Sequence, residues 1–273
     1  SGENGIGKCT LAYHLINYIL SINEDYKYDI INYKINNKNK SFKLVLNRSN
    51  PNFNLIDVDE GKKNIDIIQI RNLISNLNKS SFNSIPRFVL IDNINLLNPN
   101  SVNALLKVIE EPNDNINFIL INSNSNVLPT LKSRCINFKI SLSKNRAIET
   151  INKIIDKDIY DLLNKELINY YTTPGQVIKI LKFSQEFEID VKNLSLKNFL
   201  SLIIKNKLYK KDKMLNEIIY SFIEIYFRKN TNTKNIELLN FYNPFLKKIF
   251  STKIYNLDEE TLFMEFEDRI LNG

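Results

Sequence analysis

Only two cysteines, Cys9 and Cys135, and one histidine, His14, occur among the 273 residues. The cysteines stand far apart and form no Cys-x-x-Cys pair, so a structural zinc site is not supported, and two lone thiols suit a reducing compartment. His14 has no Cys or His beside it in sequence, which favours a structural or exposed role over a metal site. No apolar run approaches the roughly 18 residues needed to span a bilayer, so no membrane role is expected. No carboxylate cluster suited to metal-assisted nucleotidyl transfer stands out either.

What the chain does have is ordinary material for a soluble protein: 43% hydrophobic and 25% charged residues, enough for one large or two to three small cores. The net charge of +7 suits a phosphate-rich partner. Asn, Ile and Lys are used heavily throughout, however, which weakens any argument from charge alone. A basic run at Lys205, Lys207, Lys210, Lys211 and Lys213 reads by default as a solvated helix face, with contact to DNA or another protein as the alternative. Phe222, Tyr226 and Phe227 read as packing residues rather than base-stacking platforms.

Residues 1–143 alternate between strand and helix signals. Leu11, Ala12, Leu15, Ile16 and Ile19 make a helical stripe after a glycine-rich opening. Ile67, Ile70, Leu73, Ile74 and Leu77 make a second, and Val102, Leu105, Leu106 and Ile109 a third. The third is expected to be capped by Asn100 or Ser101 and stopped at Pro112. Continuous apolar runs at 88–91 and 118–121 predict strands buried on both faces, and alternation predicts another at 135–140. The outcome is an α/β domain with a parallel sheet and helices on both faces. The polar segment 21–64 offers short candidate strands near 28–34 and 42–47. After about 143 the patterns are helical: 144–170, 174–186 (begun by Thr173 and Pro174), 195–206, 208–228, 235–250 and 259–271. The domains expected are 1–143, a helical lid at 144–190 and an all-α domain at 191–273, with the boundary near 187–195.

Gly2-Glu3-Asn4-Gly5-Ile6-Gly7-Lys8-Cys9 matches the Walker A phosphate-loop pattern except at its last position. Glycines let backbone amides turn inward toward phosphate, and the following helix contributes its positive end. Lys8 would reach the terminal phosphates, and a Ser or Thr hydroxyl would bind magnesium. Here that residue is Cys9, whose soft sulfur is a poor ligand for a hard cation. Thr10 is no simple replacement, because one step along a helix turns a side chain by about 100°. The strand at 88–91 ends in Asp92-Asn93. An active ATPase of this kind would carry Glu in place of Asn93, and an amide cannot act as a general base. The buried strand that ordinarily precedes such a loop is expected ahead of Ser1, and a longer form containing it is expected to be the more stable.

Further segments carry a family resemblance: 103–112 (Asn-Ala-Leu-Leu-Lys-Val-Ile-Glu-Glu-Pro), 128–135 (Leu-Pro-Thr-Leu-Lys-Ser-Arg-Cys) and the helix start at Ile67-Ile68-Gln69-Ile70-Arg71. In this order after a phosphate loop, the chain resembles subunits of the bacterial DNA polymerase III clamp loader, which are AAA+ proteins. It is most similar to the delta-prime type, which lacks competent nucleotide chemistry. The resemblance implies a P-loop NTPase domain, a helical lid and an all-α collar. It implies partners too: gamma/tau and delta subunits, the sliding clamp, and primer-template DNA reached through the complex, all in the cytoplasm. The polymerase (nucleotidyltransferase) reaction of that holoenzyme belongs to another chain.

Within this frame Gly2, Gly5, Gly7, Lys8, Cys9, Thr10, Asp92, Asn93 and Gln176 make up a degenerate nucleotide site. Gly175-Gln176-Val177 stands where active relatives place a sensor arginine. No zinc is expected, since 10–134 contains no cysteine. No cofactor is required, and retained ATP or ADP binding is disfavoured. Arg134 matches the arginine that completes a neighbouring subunit's ATPase site, a role suited to a permanently charged, two-donor guanidinium. The alternatives are an active gamma/tau-type ATPase, an unrelated P-loop enzyme such as a nucleotide kinase or helicase loader, and a scaffold with no role in DNA transactions.

Overall fold

The computed structural model describes residues 1–59, 62, 64–79, 84–111, 115–123, 128–169, 172–211, 213–230, 236–255 and 257–272. The chain divides into two compact units, Ser1–Ser141 and Leu142–Gly273.

The first unit is built on a parallel sheet of three strands, β1 (Phe53–Ile56), β2 (Arg87–Ile91) and β3 (Ile116–Leu120), with β2 in the middle. Phe88 lies opposite Phe53 on one side and Asn117 on the other. Successive side chains of β2 point to opposite faces, and each face has its own core. Phe88 and Leu90 pack with Ala12, Ile16 and Leu20 of α1 (Lys8–Leu20) and Val45 of α2 (Lys40–Leu46). Val89 and Ile91 pack with Ile70, Leu73 and Leu77 of α3 (Ile67–Leu77) and Val102 and Leu105 of α4 (Pro99–Glu110). That double cover is why the run 88–91 is continuously apolar. A short α5 (Pro129–Lys132) follows β3.

Helix starts follow local chemistry. Asp66 and Gln69 form a capping box at α3. α4 begins two or three residues earlier than expected: Pro99 takes the first helical position and Asn98, not Asn100 or Ser101, accepts from the Ser101 amide at 2.8 Å. Ser101 is instead buried, its hydroxyl donating to Ile65 O. Pro112 lies outside the described residues.

Three strand expectations need correction. The stretch 42–47 falls in and just after α2, because Ser41 and Val45, four apart, are the buried positions and Asn39 caps the turn. The stretch 28–34 holds only a single antiparallel bridge, Asp29 to Lys34. Residues 135–140 join none of the three strands; Phe138 O and Ile140 N bond to Ser1 instead. In addition, β3 is half-exposed rather than buried, since among the described strands it pairs only with β2, and β1 lies in the segment left unassigned.

The second unit is helical: α6 (Lys144–Ile155), α7 (Pro174–Glu186), α8 (Leu196–Lys205), α9 (Leu208–Lys211), α10 (Lys213–Asn230), α11 (Ile236–Tyr255) and α12 (Glu259–Phe266). α7 starts as expected, with Thr173 as cap and Pro174 at the first position. The helix expected over 144–170 is shorter. It stops at Asp156, which takes a left-handed conformation, and short 3-10 turns follow; residue 170 lies outside the described residues. One apolar cluster runs from Ile151 to Leu271 and includes Val191, Phe199, Phe222, Phe227 and Phe266. Phe199 meets Phe222 edge-on at 5.4 Å, so these aromatics serve packing.

The basic run is not a free solvated face. Lys207 and Lys210 both pair with Glu260, Lys205 pairs with Glu267, and Lys211 lies 5.9 Å over the Phe187 ring; the side chain of Lys213 lies outside the described part. Its cations tie α9 to α12 and α8 to Glu267 just beyond it. Among the described residues no helix is long and apolar enough to cross a membrane.

Candidate functional site

The candidate site lies where the glycine loop meets the carboxyl ends of β1 and β2, the edge of a parallel sheet at which ligands ordinarily bind. Gly5 (φ 83°) and Gly7 (φ 90°) hold left-handed backbone that a side chain would strain. Gly2 is required for a different reason: a Cβ there would collide with the backbone oxygen of Ile140. Its amide donates to Asn122 O at 3.2 Å, fixing the loop beside the end of β3.

Lys8, the first residue of α1, is buried and folds back on its own loop. Its ammonium donates to Gly2 O at 2.9 Å and Glu3 O at 2.6 Å. Burial pulls its pKa down, and the negative charges of Asp92 and Glu3 resist that. Next to it, the Cys9 thiol lies within electrostatic reach of the Asp92 carboxylate. Burial first, then the charge of Asp92 and the charge of Asp57, push the thiol up to about 12. Asp92 is itself raised, mainly by burial and then by Asp57, while the thiol, the Asn93 amide and Lys8 hold it back. Asn93 has left-handed backbone (φ 58°, ψ 58°) and caps a short 3-10 turn, accepting from Leu96 N at 2.8 Å.

Thus Gly2, Gly5, Gly7, Lys8, Cys9, Asp92 and Asn93 come together, and Thr10 is exposed one step along α1. This arrangement does not fit a magnesium-nucleotide centre. Magnesium needs oxygen ligands in a near-octahedral set, whereas the position that would supply a hydroxyl holds a half-buried, protonated thiol. Asn93 supplies no base.

Arg134 sits just beyond α5. Its guanidinium donates to Thr130 O at 2.8 Å and pairs with Glu110 in the last turn of α4, leaving the side chain about a third exposed. Gln176 belongs to the second unit, where its side chain accepts from Thr173 N at 3.1 Å as half of the α7 capping box. Two participants escaped the sequence: Asp57 at the end of β1, and Glu110. The signal for Asp57 was present, since Phe53-Asn54-Leu55-Ile56-Asp57 repeats in miniature the apolar-run-then-Asp form of 88–92.

A family model described as DNA polymerase III, delta subunit, matches residues 1–144, more than half of the chain. The chain belongs to the bacterial DNA polymerase III clamp-loader family. Relatives of this clamp-loader protein include the DNA polymerase III subunit gamma of Buchnera aphidicola subsp. Schizaphis graminum, 28% identical over 157 residues, which are 56% of this chain and 43% of that protein. The DNA polymerase III subunit delta′ of Pseudomonas aeruginosa is 31% identical over 98 residues, 36% of this chain and 30% of that one. The DNA polymerase III subunit tau of Escherichia coli is 32% identical over 87 residues, 32% and 13% respectively. The chain therefore spans less than half the length of each of these relatives.

Proposed function

We propose that this clamp-loader family member is an ATPase-silent subunit of the delta-prime type, which helps place a sliding clamp on primed DNA without turning over ATP. The observation that carries the reading is the residue set at the loop: where a magnesium-binding hydroxyl is needed stands Cys9, its thiol pushed up to about 12 by burial and by the nearby charge of Asp92. Lys8 satisfied by its own loop and Asn93 without basicity support the same conclusion. On this reading the first unit is a degenerate P-loop domain of the AAA+ class, 144–190 acts as the lid and 191–273 as the collar. Gamma/tau and delta subunits are its neighbours in a cytoplasmic, replisome-associated assembly, and polymerisation belongs to another chain.

Arg134 then acts on the ATP of an adjacent subunit. Glu110 and Thr130 O hold its guanidinium at the surface, and a trans arginine contributes on the order of 10³–10⁵ in rate in other phosphoryl-transfer systems. The test is a loader reconstituted from this chain with gamma- and delta-type subunits, clamp and primed DNA. Arg134→Ala is expected to lower ATP turnover by the whole assembly at least tenfold while leaving assembly intact. Unchanged turnover would discard the role. A second reading, an active gamma/tau-type ATPase, draws on the gamma and tau subunits among the relatives; magnesium-dependent turnover by the isolated chain separates the two.

A further inference from the structure

The charge that the 205–211 run neutralises within the fold remains unneutralised elsewhere. Over 24–48 six cations (Lys27, Lys34, Lys38, Lys40, Lys43 and Arg48) face three carboxylates, and all six are exposed. Among the described residues none of the six forms an ion pair. Two of the three carboxylates are turned onto backbone. Glu24 accepts from the Lys40 and Ser41 amides at 2.7 and 2.9 Å. Asp29 accepts from the Ile31 and Asn32 amides, both at 3.0 Å, although it also faces Lys34 across the bridge.

This surface is fixed in place. Asn39, fully buried, accepts from Phe42 N at 2.6 Å and from Asn17 Nδ2 at 3.2 Å, and donates to Tyr26 O at 2.9 Å. That one side chain holds the loop carrying Tyr26 against the start of α2, and Lys38 lies 5.5 Å over the Tyr26 ring. The hairpin closed by Asp29 and Lys34 is anchored through Tyr28, whose hydroxyl meets His14 Nδ1 at 2.9 Å. At its tip Tyr33 is 73% exposed and Ile31 85%. Holding an aromatic ring in water at the tip of a locked turn contributes nothing to the core, but it suits a flat apolar partner.

We infer that the surface formed by 26–48 binds single-stranded nucleic acid directly, with Lys34, Lys38, Lys40 and Lys43 along the phosphates and Tyr33 and Tyr26 as stacking platforms for unpaired bases. Cations track any backbone, but exposed rings bind bases only where those are unstacked. Duplex readout requires an element that enters a groove; exposed rings also serve protein interfaces, and oligonucleotide binding measured beside partner co-elution separates that outcome. The inference goes beyond the silent-ATPase reading and shares no residue with it, so either can fail alone.

Fluorescence anisotropy of the 273-residue chain with a labelled 20-nucleotide oligo-dT, and with a 20-base-pair duplex, tests it across 50–200 mM salt. The single strand is expected to bind more tightly. The slope of log affinity against log salt is expected near about −3, for four phosphates at roughly −0.7 each. The triple variant Lys34→Glu, Lys38→Glu, Lys43→Glu should lose at least tenfold in affinity and flatten the slope, whereas Arg at all three should keep both. Tyr33→Ala should cost about fivefold or more with the slope unchanged, and Tyr33→Phe should restore binding. Circular dichroism melting verifies that each variant folds. Absence of binding, duplex bound as well as single strand, or indifference to both substitution sets overturns the inference. So does retained oligonucleotide binding with lost co-elution of a partner subunit, which would make the surface a protein interface.

Discussion

Disulfide reagents should attack Cys9 about 50-fold more slowly than an ordinary thiol. At pH 8 a thiol of pKa 9.0 is about one-tenth thiolate, while one raised to about 12 is ionised to about one part in ten thousand. That thousandfold deficit is partly offset, because a more basic thiolate is the better nucleophile, with a Brønsted coefficient of about 0.4–0.5. Three units then leave a net factor of about 50, and partial burial of the sulfur adds to it. The assay follows modification at each cysteine by peptide mass spectrometry, with the denatured chain as reference. Asp92→Asn removes the negative charge, so Cys9 should react several-fold faster while still falling short of the denatured rate, because burial persists. Cys135, raised by burial alone, should not respond to that change. A Cys9 as reactive as in the denatured chain, or indifferent to Asp92→Asn, would refute the burial and the Asp92 charge that keep this thiol protonated.

The same carboxylate has a stability signature. A raised folded pKa means the unfolded chain releases this proton first, so stability is lost as pH climbs from the ordinary value of 3.8 through the folded one. Asp92→Asn should therefore melt higher than wild type at pH 7, with the gap closing below about pH 3.8, and a lower melting temperature at pH 7 would contradict the burial argument. Leu90→Ala, in the middle strand and fully buried, should cost about 2–5 kcal/mol in urea unfolding; a loss under about 1 kcal/mol would mean that β2 is not packed on the α1 face.

What the sequence disclosed follows from which forces act locally. The run 88–91 and the stripes of α1, α3 and α4 are legible because burial on both faces of β2 demands continuous apolar residues there and helical spacing opposite. The segment 21–64 is not, because its order comes from polar anchors: Asn39 joins Asn17, Tyr26 and Phe42, and no periodicity announces such contacts. β1 and Asp57 carry the form of 88–92 in miniature, but Asn54 breaks the apolar run that makes β2 legible. At the site, the substitutions Cys9 and Asn93 could be read directly, and they pointed to missing functions. That the thiol would lie near Asp92, or that Glu110 would hold Arg134, depends on long-range packing. The ion pairs of the basic run were not legible because its partners, Glu260 and Glu267, lie 50 to 62 residues further on.

Hydrolysis of ATP by the purified chain, with magnesium present and then removed by chelation, is the most direct trial of the site. A protonated thiol in place of a metal-binding hydroxyl and an amide in place of a base predict phosphate release no faster than a protein-free blank. Magnesium-dependent turnover on the order of 1 s⁻¹, typical of working enzymes, would mean that the loop binds metal and activates water after all.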